Sequence, residues 1–322
     1  MKPRVVVTEP IHQAGWDLLA TETKAIAWAG EQTEPLAKVL EGVQAVIVRV
    51  VKLPGDVIRE AKELKIIAKH GVGYDNIDVK AATERGIVVT NTPTANSQSV
   101  AEHALALLLA VARRIGDFSR DVALKRLQPQ KAYQGNELSG KVMGVIGVGG
   151  AGLRLARMTE NGLGMRVIGF DPYKDPWPEG IEHMRSLDDL LAQADFVSIH
   201  VPLTTETRHL INASALAKMK RTAILVNTAR GGIVEEAALG EAVRDGRIAG
   251  AALDVIEDEP MKADHPLAGL PTILLTPHMA GVTEEAMMRM AQNAAEDVLR
   301  VLRGERPKYP VNPEVLARHG IR

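Results

Sequence analysis

Cysteine is absent from this sequence, which rules out disulfides, thiolate nucleophiles and cysteine-held metals and carries no information about compartment. A surplus of one charge is absent as well. The 39 Lys and Arg against 40 Asp and Glu leave a formal charge of -1 at pH 7, so nothing draws the chain to nucleic acid or to an anionic membrane surface. Long hydrophobic runs are also missing: the longest unbroken one, Ala104 to Ala112, lies between His103 and Arg113 and is too short to span a bilayer. Met1-Lys2-Pro3-Arg4 leads straight into a strand with no visible secretory leader. The expectation is a cytoplasmic protein with no nucleic-acid, membrane or metal partner. What is plentiful is apolar residues, 46% of 322, enough for one large or two ordinary domains.

Short β-branched runs alternate with helical stretches, the pattern of an α/β fold with parallel sheets. In the first part the runs Arg4–Thr8, Ala45–Arg49, Ile66–Ala68 and Val88–Asn91 read as strands, with helical spacing in segments such as Leu53–Lys62. From Ser99 to Gly116 a capped helix is apolar nearly all round, so it is buried in a core or against another subunit. A charged stretch, Asp117 to Gly140, follows. Strands are then expected at Val142–Ile146, Val167–Phe170, Phe196–His200, Ile224–Asn227, Ala251–Val255 and Ile273–Thr276, six in all, and a long helix from Glu284 to Arg303 returns the chain to the first domain. Met287, Met288 and Met290 on that helix read as core filler. The expected architecture is a doubly wound parallel-sheet (Rossmann) nucleotide-binding domain, residues 97–283, inserted into a smaller flavodoxin-like α/β substrate domain formed by residues 1–96 and 284–322.

The insertion opens with the most informative motif in the chain. Gly147-Val148-Gly149-Gly150-Ala151-Gly152 follows the strand Val142–Ile146, Ala156 lies on the helix face beyond it, and Asp171 closes the next strand. In a G-x-G-x-x-G turn Gly147 makes the bend, Gly149 lets backbone approach a pyrophosphate, and Gly152 lets the helix pack close. The helix N-terminus offers N–H groups to phosphate, here those of Gly150 and Ala151. Asp171 accepts from a ribose 2′-OH and repels a 2′-phosphate, and Pro172-Tyr173 come after it without an arginine, so NAD is expected over NADP.

Ligands of open α/β sheets sit beyond the carboxyl ends of the strands. Three such ends deliver Thr228-Ala229-Arg230-Gly231-Gly232, Glu257-Asp258-Glu259-Pro260 and Pro277-His278, with the small residues Ala280-Gly281 after the histidine. Reduction of a 2-keto acid needs a cation for the carboxylate or keto oxygen and an acid to protonate that oxygen. Arginine supplies a fixed fork of donors, histidine titrates near neutrality, and a neighbouring carboxylate favours the imidazolium. Arg230 alone would read as a surface ion pair, and an acidic run such as the one holding Glu259 as a solvated face; at these strand ends function is favoured for Arg230 and His278. His12, His183, His209, His265 and His319 read as surface or loop residues and His103 as a helix-face histidine.

Gly71-Val72-Gly73-Tyr74-Asp75-Asn76-Ile77-Asp78, Asn91-Thr92-Pro93, the glycine turn, His200-Val201-Pro202-Leu203-Thr204, Asn227-Thr228-Ala229-Arg230-Gly231-Gly232, Ala252-Leu253-Asp254-Val255, Glu259-Pro260 and Pro277-His278 occur in one order along nearly the whole chain. In this the sequence resembles the D-isomer-specific 2-hydroxy acid dehydrogenases, and among them the phosphoglycerate dehydrogenase-like branch. The resemblance implies that Arg230 binds the substrate carboxylate or keto oxygen, that His278 is the proton donor and acceptor, and that Glu259 pairs with it. It implies an Asp254 contact to the nicotinamide carboxamide and further NAD contacts at Pro172, His200, Pro202, Thr207, Thr228, Ala229, His278 and Gly281. The family usually has arginine where Gly150 stands, so one phosphate contact is expected to be absent. Formate dehydrogenases of the superfamily have glutamine at the position of Glu259, which disfavours that activity.

For the substrate, Gly71 and Gly73 are expected to leave backbone N–H groups uncovered as an anion nest, the family's carboxylate site. Asn96 joins Gly71, Val72, Gly73 and Arg230 in the substrate set. Arg49, Lys69 and His70 stand at strand ends of the first domain, and basic residues at the first two positions lie near the distal phosphate in phosphoglycerate dehydrogenases. The substrate is therefore expected to be a D-2-hydroxy acid with a second anionic group, phosphoglycerate-, sulfolactate- or hydroxypyruvate-like. Lys69-His70 departs from the usual Arg-Ala pair, and the sequence ends at Arg322 without the regulatory extension of longer members, so an enzyme without serine feedback is expected. A homodimer is expected from the apolar helix and the family. Domain closure on substrate is expected, with hinges near Thr94–Ser99 and Gly281–Glu285. The alternative function is a dinucleotide-sensing, corepressor-like binding protein on the same fold; a hydrolase or lyase holding NAD tightly is a third, but would not need the Arg/Glu/His set.

Overall fold

The computed structural model of the chain describes residues 2–28, 30 and 34–321. The chain forms two compact units, Met1–Asn96 with Val282–Arg322, and Ser97–Gly281. The first unit is built on β1 (Arg4–Val7), β2 (Lys24–Ala27), β3 (Ala45–Val48), β4 (Ile66–Lys69) and β5 (Val88–Thr90). They form one parallel sheet in the order β2-β1-β3-β4-β5, the flavodoxin-like order. Apart from the exposed Arg4 at the start of β1, every residue of β1, β3, β4 and β5 is buried, as continuous apolar runs in a sheet covered on both faces must be. On one face lie Leu40, Leu53 and Ile58. On the other, the helix Glu284–Leu302 presents Ala294, Ala295, Val298 and Val301. Met290 is buried and Met287 packs beside it, in keeping with a core role. Strand β2 was not expected from the sequence: it lies at the sheet edge with exposed ends, so its apolar signal is weak.

The second unit carries β6 (Val142–Ile146), β7 (Arg166–Phe170), β8 (Glu182–His183), β9 (Phe196–Ile199), β10 (Ile224–Asn227), β11 (Gly250–Leu253) and β12 (Ile273–Leu275). All ladders are parallel, in the order β12-β11-β10-β9-β6-β7-β8. This is the doubly wound arrangement, with the order reversing between β6 and β9, where a dinucleotide crosses. Seven strands stand where six were expected; β8 has two exposed residues and no periodicity to betray it.

The apolar segment forms the helix Ser97–Ala112 and stops there. Arg114 takes a left-handed φ of 56°, and a separate helix, Ile115–Ala123, runs from the end of the segment expected to be one helix into the charged stretch. Ala101, Ala104, Leu107 and Leu108 are buried in this unit's own core beside Leu155 and Ala156 of the helix Gly150–Leu163. Being apolar all round is thus explained by the core, without a second subunit. Strands β11 and β12 close sooner than their hydrophobic runs suggest, at paired residues Leu253 and Leu275. Asp254 and Thr276 are therefore the first residues beyond two adjacent strands. Among the described residues no helix is long and apolar enough to cross a membrane.

Candidate active site

The glycine turn joins β6 to the helix Gly150–Leu163. Gly147 has a φ of +88°, in the region that favours glycine, and a β-carbon on Gly152 would overlap the Gly147 carbonyl oxygen. At Gly149 a β-carbon would meet nothing within 4 Å, so its surroundings are open to an incoming group. Asp171 is tied to this turn: Oδ2 accepts the Val148 N–H at 3.0 Å and Oδ1 the Tyr173 N–H at 3.1 Å. Arg154, one helical turn beyond Gly150, donates from Nη1 to the Gly150 carbonyl at 2.8 Å. A guanidinium thus lies beside a turn whose residue 150 has no side chain. The i, i+4 spacing of Gly150 and Arg154 is its signal in the sequence.

The adjoining strand ends complete this surface. Thr207 Oγ1 donates to the Pro202 carbonyl at 2.6 Å and accepts the Thr204 N–H, closing the loop after β9. His200 bonds Ser198 Oγ at 2.8 Å, and burial pushes its imidazole down to about 4. After β10, Asn227 Oδ1 accepts the Ala229 N–H while its Nδ2 donates to the Arg230 carbonyl. Thr228 Oγ1 is buried without a hydrogen-bond partner, and a buried hydroxyl in that state is costly unless a ligand satisfies it. Tight bend, open approach, anchored acid and orphaned hydroxyl all suit a dinucleotide.

The loops bearing Arg230, Glu259 and His278 meet beside this surface. Gly231 sits so close to the next loop that a β-carbon on it would overlap Ile256 and the Glu257 nitrogen. Arg230, immediately before it, is fixed by Nη1 on the Ala229 carbonyl at 2.8 Å. Glu259 Oε2 lies 2.8 Å from His278 Nδ1, and its other oxygen accepts the Ile256 N–H at 3.4 Å. Both side chains are exposed, 39% for Glu259 and 46% for His278. The structure therefore brings the loops of Arg230, Glu259 and His278 together at the ends of β10, β11 and β12.

Beneath them lies a network that periodicity could not reveal. Asp254, buried, accepts from Thr276 Oγ1 at 2.6 Å and from the Met279 and Ala280 N–H groups at 2.8 and 2.7 Å. His103 Nε2 stands 3.1 Å from Thr276 Oγ1 and 3.3 Å from Asp254 Oδ1. Burial by itself would raise the Asp254 carboxyl, but the hydrogen bonds from His103, Thr276 and the two amides outweigh it and leave it below the ordinary range. His103, expected to be a mere helix-face residue, is thus part of this cluster. His265 is likewise no loose loop residue. It is buried with Glu236 at 2.8 Å, and Glu236 also takes the Glu257 N–H at 2.7 Å, which holds the loop bearing Glu259.

In the first unit, Glu9 accepts the N–H groups of Arg49, Val50 and Val51 at 2.9, 2.5 and 2.6 Å. Lys69 Nζ donates to the Arg49 carbonyl and, at 2.8 Å, to Asn76 Oδ1. Arg49 is therefore held through its backbone from both sides, and Lys69 is 8% exposed and turned to that task. Neither ring nitrogen of the buried His70 has a hydrogen-bond partner; burial, reinforced by Arg49, brings its imidazole down to about 4. One expectation fails here. The Gly71 N–H is not uncovered: it is engaged by Thr92 Oγ1 and the Lys69 carbonyl, both at 3.1 Å. Val72 and Gly73 follow it on the same turn, with Asn91 Nδ2 bound to the Val72 carbonyl at 2.7 Å. Asn96 is the last residue of this segment, and next to it the Ala95 carbonyl accepts from Arg289 at 2.8 Å.

A doubly wound parallel sheet with this turn defines a dinucleotide-binding protein. Residues 105–280 match the family model of the D-isomer specific 2-hydroxyacid dehydrogenase NAD-binding domain. Over 314 residues the chain is 42% identical to a D-3-phosphoglycerate dehydrogenase of Methanocaldococcus jannaschii, covering 96% of this chain but 59% of that longer protein. Over 326 residues it is 40% identical to a glyoxylate reductase of Korarchaeum cryptofilum, covering 98% of both. A Thermus thermophilus protein of known crystal structure superimposes with a TM-score of 0.87 at 39% identity, covering 96% of this chain and 99% of that one. The chain belongs to the D-isomer specific 2-hydroxyacid dehydrogenases, a family of NAD(P)-dependent oxidoreductases.

Proposed function

We propose that this chain interconverts a D-2-hydroxy acid and its 2-keto acid, using NAD in preference to NADP, on a substrate with a second anionic group. The observation that carries the reaction is the 2.8 Å contact from Glu259 to His278 Nδ1 beside the Arg230 loop. With Nδ1 held by the carboxylate, the working nitrogen of His278 is Nε2. That atom gives its proton to the keto oxygen in reduction and takes it back in oxidation, while Glu259 keeps the ring oriented. Arg230 supplies fixed donors to the substrate carboxylate or to the oxygen on which charge develops. Bound nicotinamide supplies or accepts the hydride.

NAD is preferred because the Asp171 carboxylate is fixed on the glycine turn, where it meets a ribose hydroxyl well and a phosphate badly. The second anion is assigned to Arg49, whose backbone is clamped by Glu9 and Lys69, beside the neutral His70. A homodimer is supported by the exposed apolar side chains Ile115, Phe118, Val122, Leu124 and Leu127; a monomeric mass in light scattering at micromolar concentration would contradict it. The substrate class is tested by initial rates with NADH on phosphohydroxypyruvate and sulfopyruvate against glyoxylate and pyruvate. Higher kcat/KM on the doubly charged acids is expected, and equal efficiency on both groups would refute the second anion.

A further inference from the structure

We propose that His103, on the helix Ser97–Ala112, is a positioning residue for His278, acting through Thr276 and Asp254. The proposal rests on the reading of His278 as the proton-transfer group. Three observations carry it. First, His278 has a φ of 56°, in the left-handed region. A side-chain-bearing residue takes that conformation readily only when its surroundings enforce it. Second, Asp254 enforces it, alongside a 3.1 Å bond from the His278 N–H to the Thr276 carbonyl. The His278 N–H bonds the Asp254 carbonyl at 2.8 Å, and the next two N–H groups, of Met279 and Ala280, bond the Asp254 carboxylate at 2.8 and 2.7 Å. Third, that carboxylate is itself held. Thr276 has a single hydroxyl proton and gives it to Asp254 Oδ1 at 2.6 Å. The Thr276 oxygen can then only accept from His103 Nε2, 3.1 Å away, which fixes the tautomer with the proton on Nε2. The same N–H reaches Asp254 Oδ1 at 3.3 Å.

The imidazole of His103 therefore orients the hydroxyl and the carboxylate that hold the two amides following His278. Its own helix is anchored by Ala101, Ala104, Leu107 and Leu108 in the core, so the donor stands on a rigid element. Removing it takes one donor from the Thr276 hydroxyl and the Asp254 carboxylate and loosens the left-handed turn. His103 touches neither end of the Glu259–His278 pair, so it acts on placement and not on the proton itself.

The test uses the full chain with His103→Leu, which keeps bulk and removes the donor, and His103→Gln, whose amide restores a donor. His103→Leu is expected to lower kcat about 10-fold with glyoxylate and NADH, the scale typical of partners that orient a functional group. In the cofactor-free chain, hydrogen–deuterium exchange at Met279 and Ala280 is expected to quicken in His103→Leu. His103→Gln is expected to return both measures to near wild type. Wild-type turnover and exchange in His103→Leu would overturn the proposal. So would a loss of kcat that His103→Gln leaves unrescued while the whole chain melts earlier, since that marks a general packing role. His278→Asn serves as the reference: if it turns over normally, the reading of His278 itself falls, and it falls separately from that of His103.

Discussion

Gly231→Ala probes how the site is assembled. This glycine follows Arg230 and opens the buried 3-10 turn Gly231–Ile233, where the loop after β10 presses on the loop after β11. A β-carbon there would fall more than 1 Å inside the ordinary 3.4 Å contact distance from the Ile256 carbonyl carbon, its oxygen and the Glu257 nitrogen. All three are backbone atoms and cannot swing aside, so the two loops must part by about that much. The segment so displaced runs from Ile256 to Glu259, whose carboxylate reaches both the Ile256 N–H and His278 Nδ1. Misplacement of reacting groups by about 1 Å is enough to cost about 10²-fold in rate. The glycine turn at Gly147–Gly152 lies at the end of a different strand, so NADH binding should change little. The assay is kcat/KM for glyoxylate together with the NADH dissociation constant from fluorescence titration. A fall of about 10² in the first with a near-native second is expected. Native turnover in Gly231→Ala would refute the claim that this close approach sets the geometry.

Three further outcomes rest on the same geometry. Gly149→Ala meets nothing within 4 Å and has a φ of -90°, so it should melt as the wild type does; its methyl group stands where pyrophosphate approaches, and NADH should bind about 10-fold more weakly, about 1.4 kcal/mol. Unchanged affinity would show that the phosphates lie elsewhere. Asp171→Ala should raise the NADP-to-NAD ratio of kcat/KM and, by freeing the Val148 N–H, weaken NAD itself; an unchanged ratio would remove Asp171 from cofactor selection. His70 titrates near 6.5 unfolded but about 4 folded, so the unfolded chain takes up its proton first as pH falls. Stability should thus be intact above 6.5 and decline between 6.5 and about 4, by about 1.4 kcal/mol per pH unit for this one imidazole. Urea denaturation across that range should show a shallower slope for His70→Leu, and equal slopes would mean that His70 is not held neutral by burial.

Most of this site was legible in the sequence, because its residues stand just after strands whose apolar runs are unmistakable. Val142–Ile146 and Ile224–Asn227 coincide with the strands expected there, and Arg230, Glu259 and His278 each lie a few residues beyond the end of such a run. Edge strands were not legible: β2 and β8 are short and exposed, and a strand needs a buried face to show a pattern. Nor was partnership legible. His103 and His265 sit among ordinary helix and loop residues, and only the fold brings Thr276, 173 positions away, to the first of them and Glu236 to the second. Lys69 is a further case. Its position marks it as a candidate substrate cation, and its contacts to the Arg49 carbonyl and to Asn76 could not be read from the sequence.

The most direct test of the central claim is the single-turnover rate of NADH oxidation by glyoxylate in wild-type chain and in His278→Asn, measured by stopped flow at saturating cofactor. Loss of a general acid predicts a rate lower by about 10² or more in the variant, with NADH affinity preserved. Equal rates in the two, or a wild-type chain that oxidises NADH with no 2-keto acid at all, would contradict the assignment of proton transfer to this histidine.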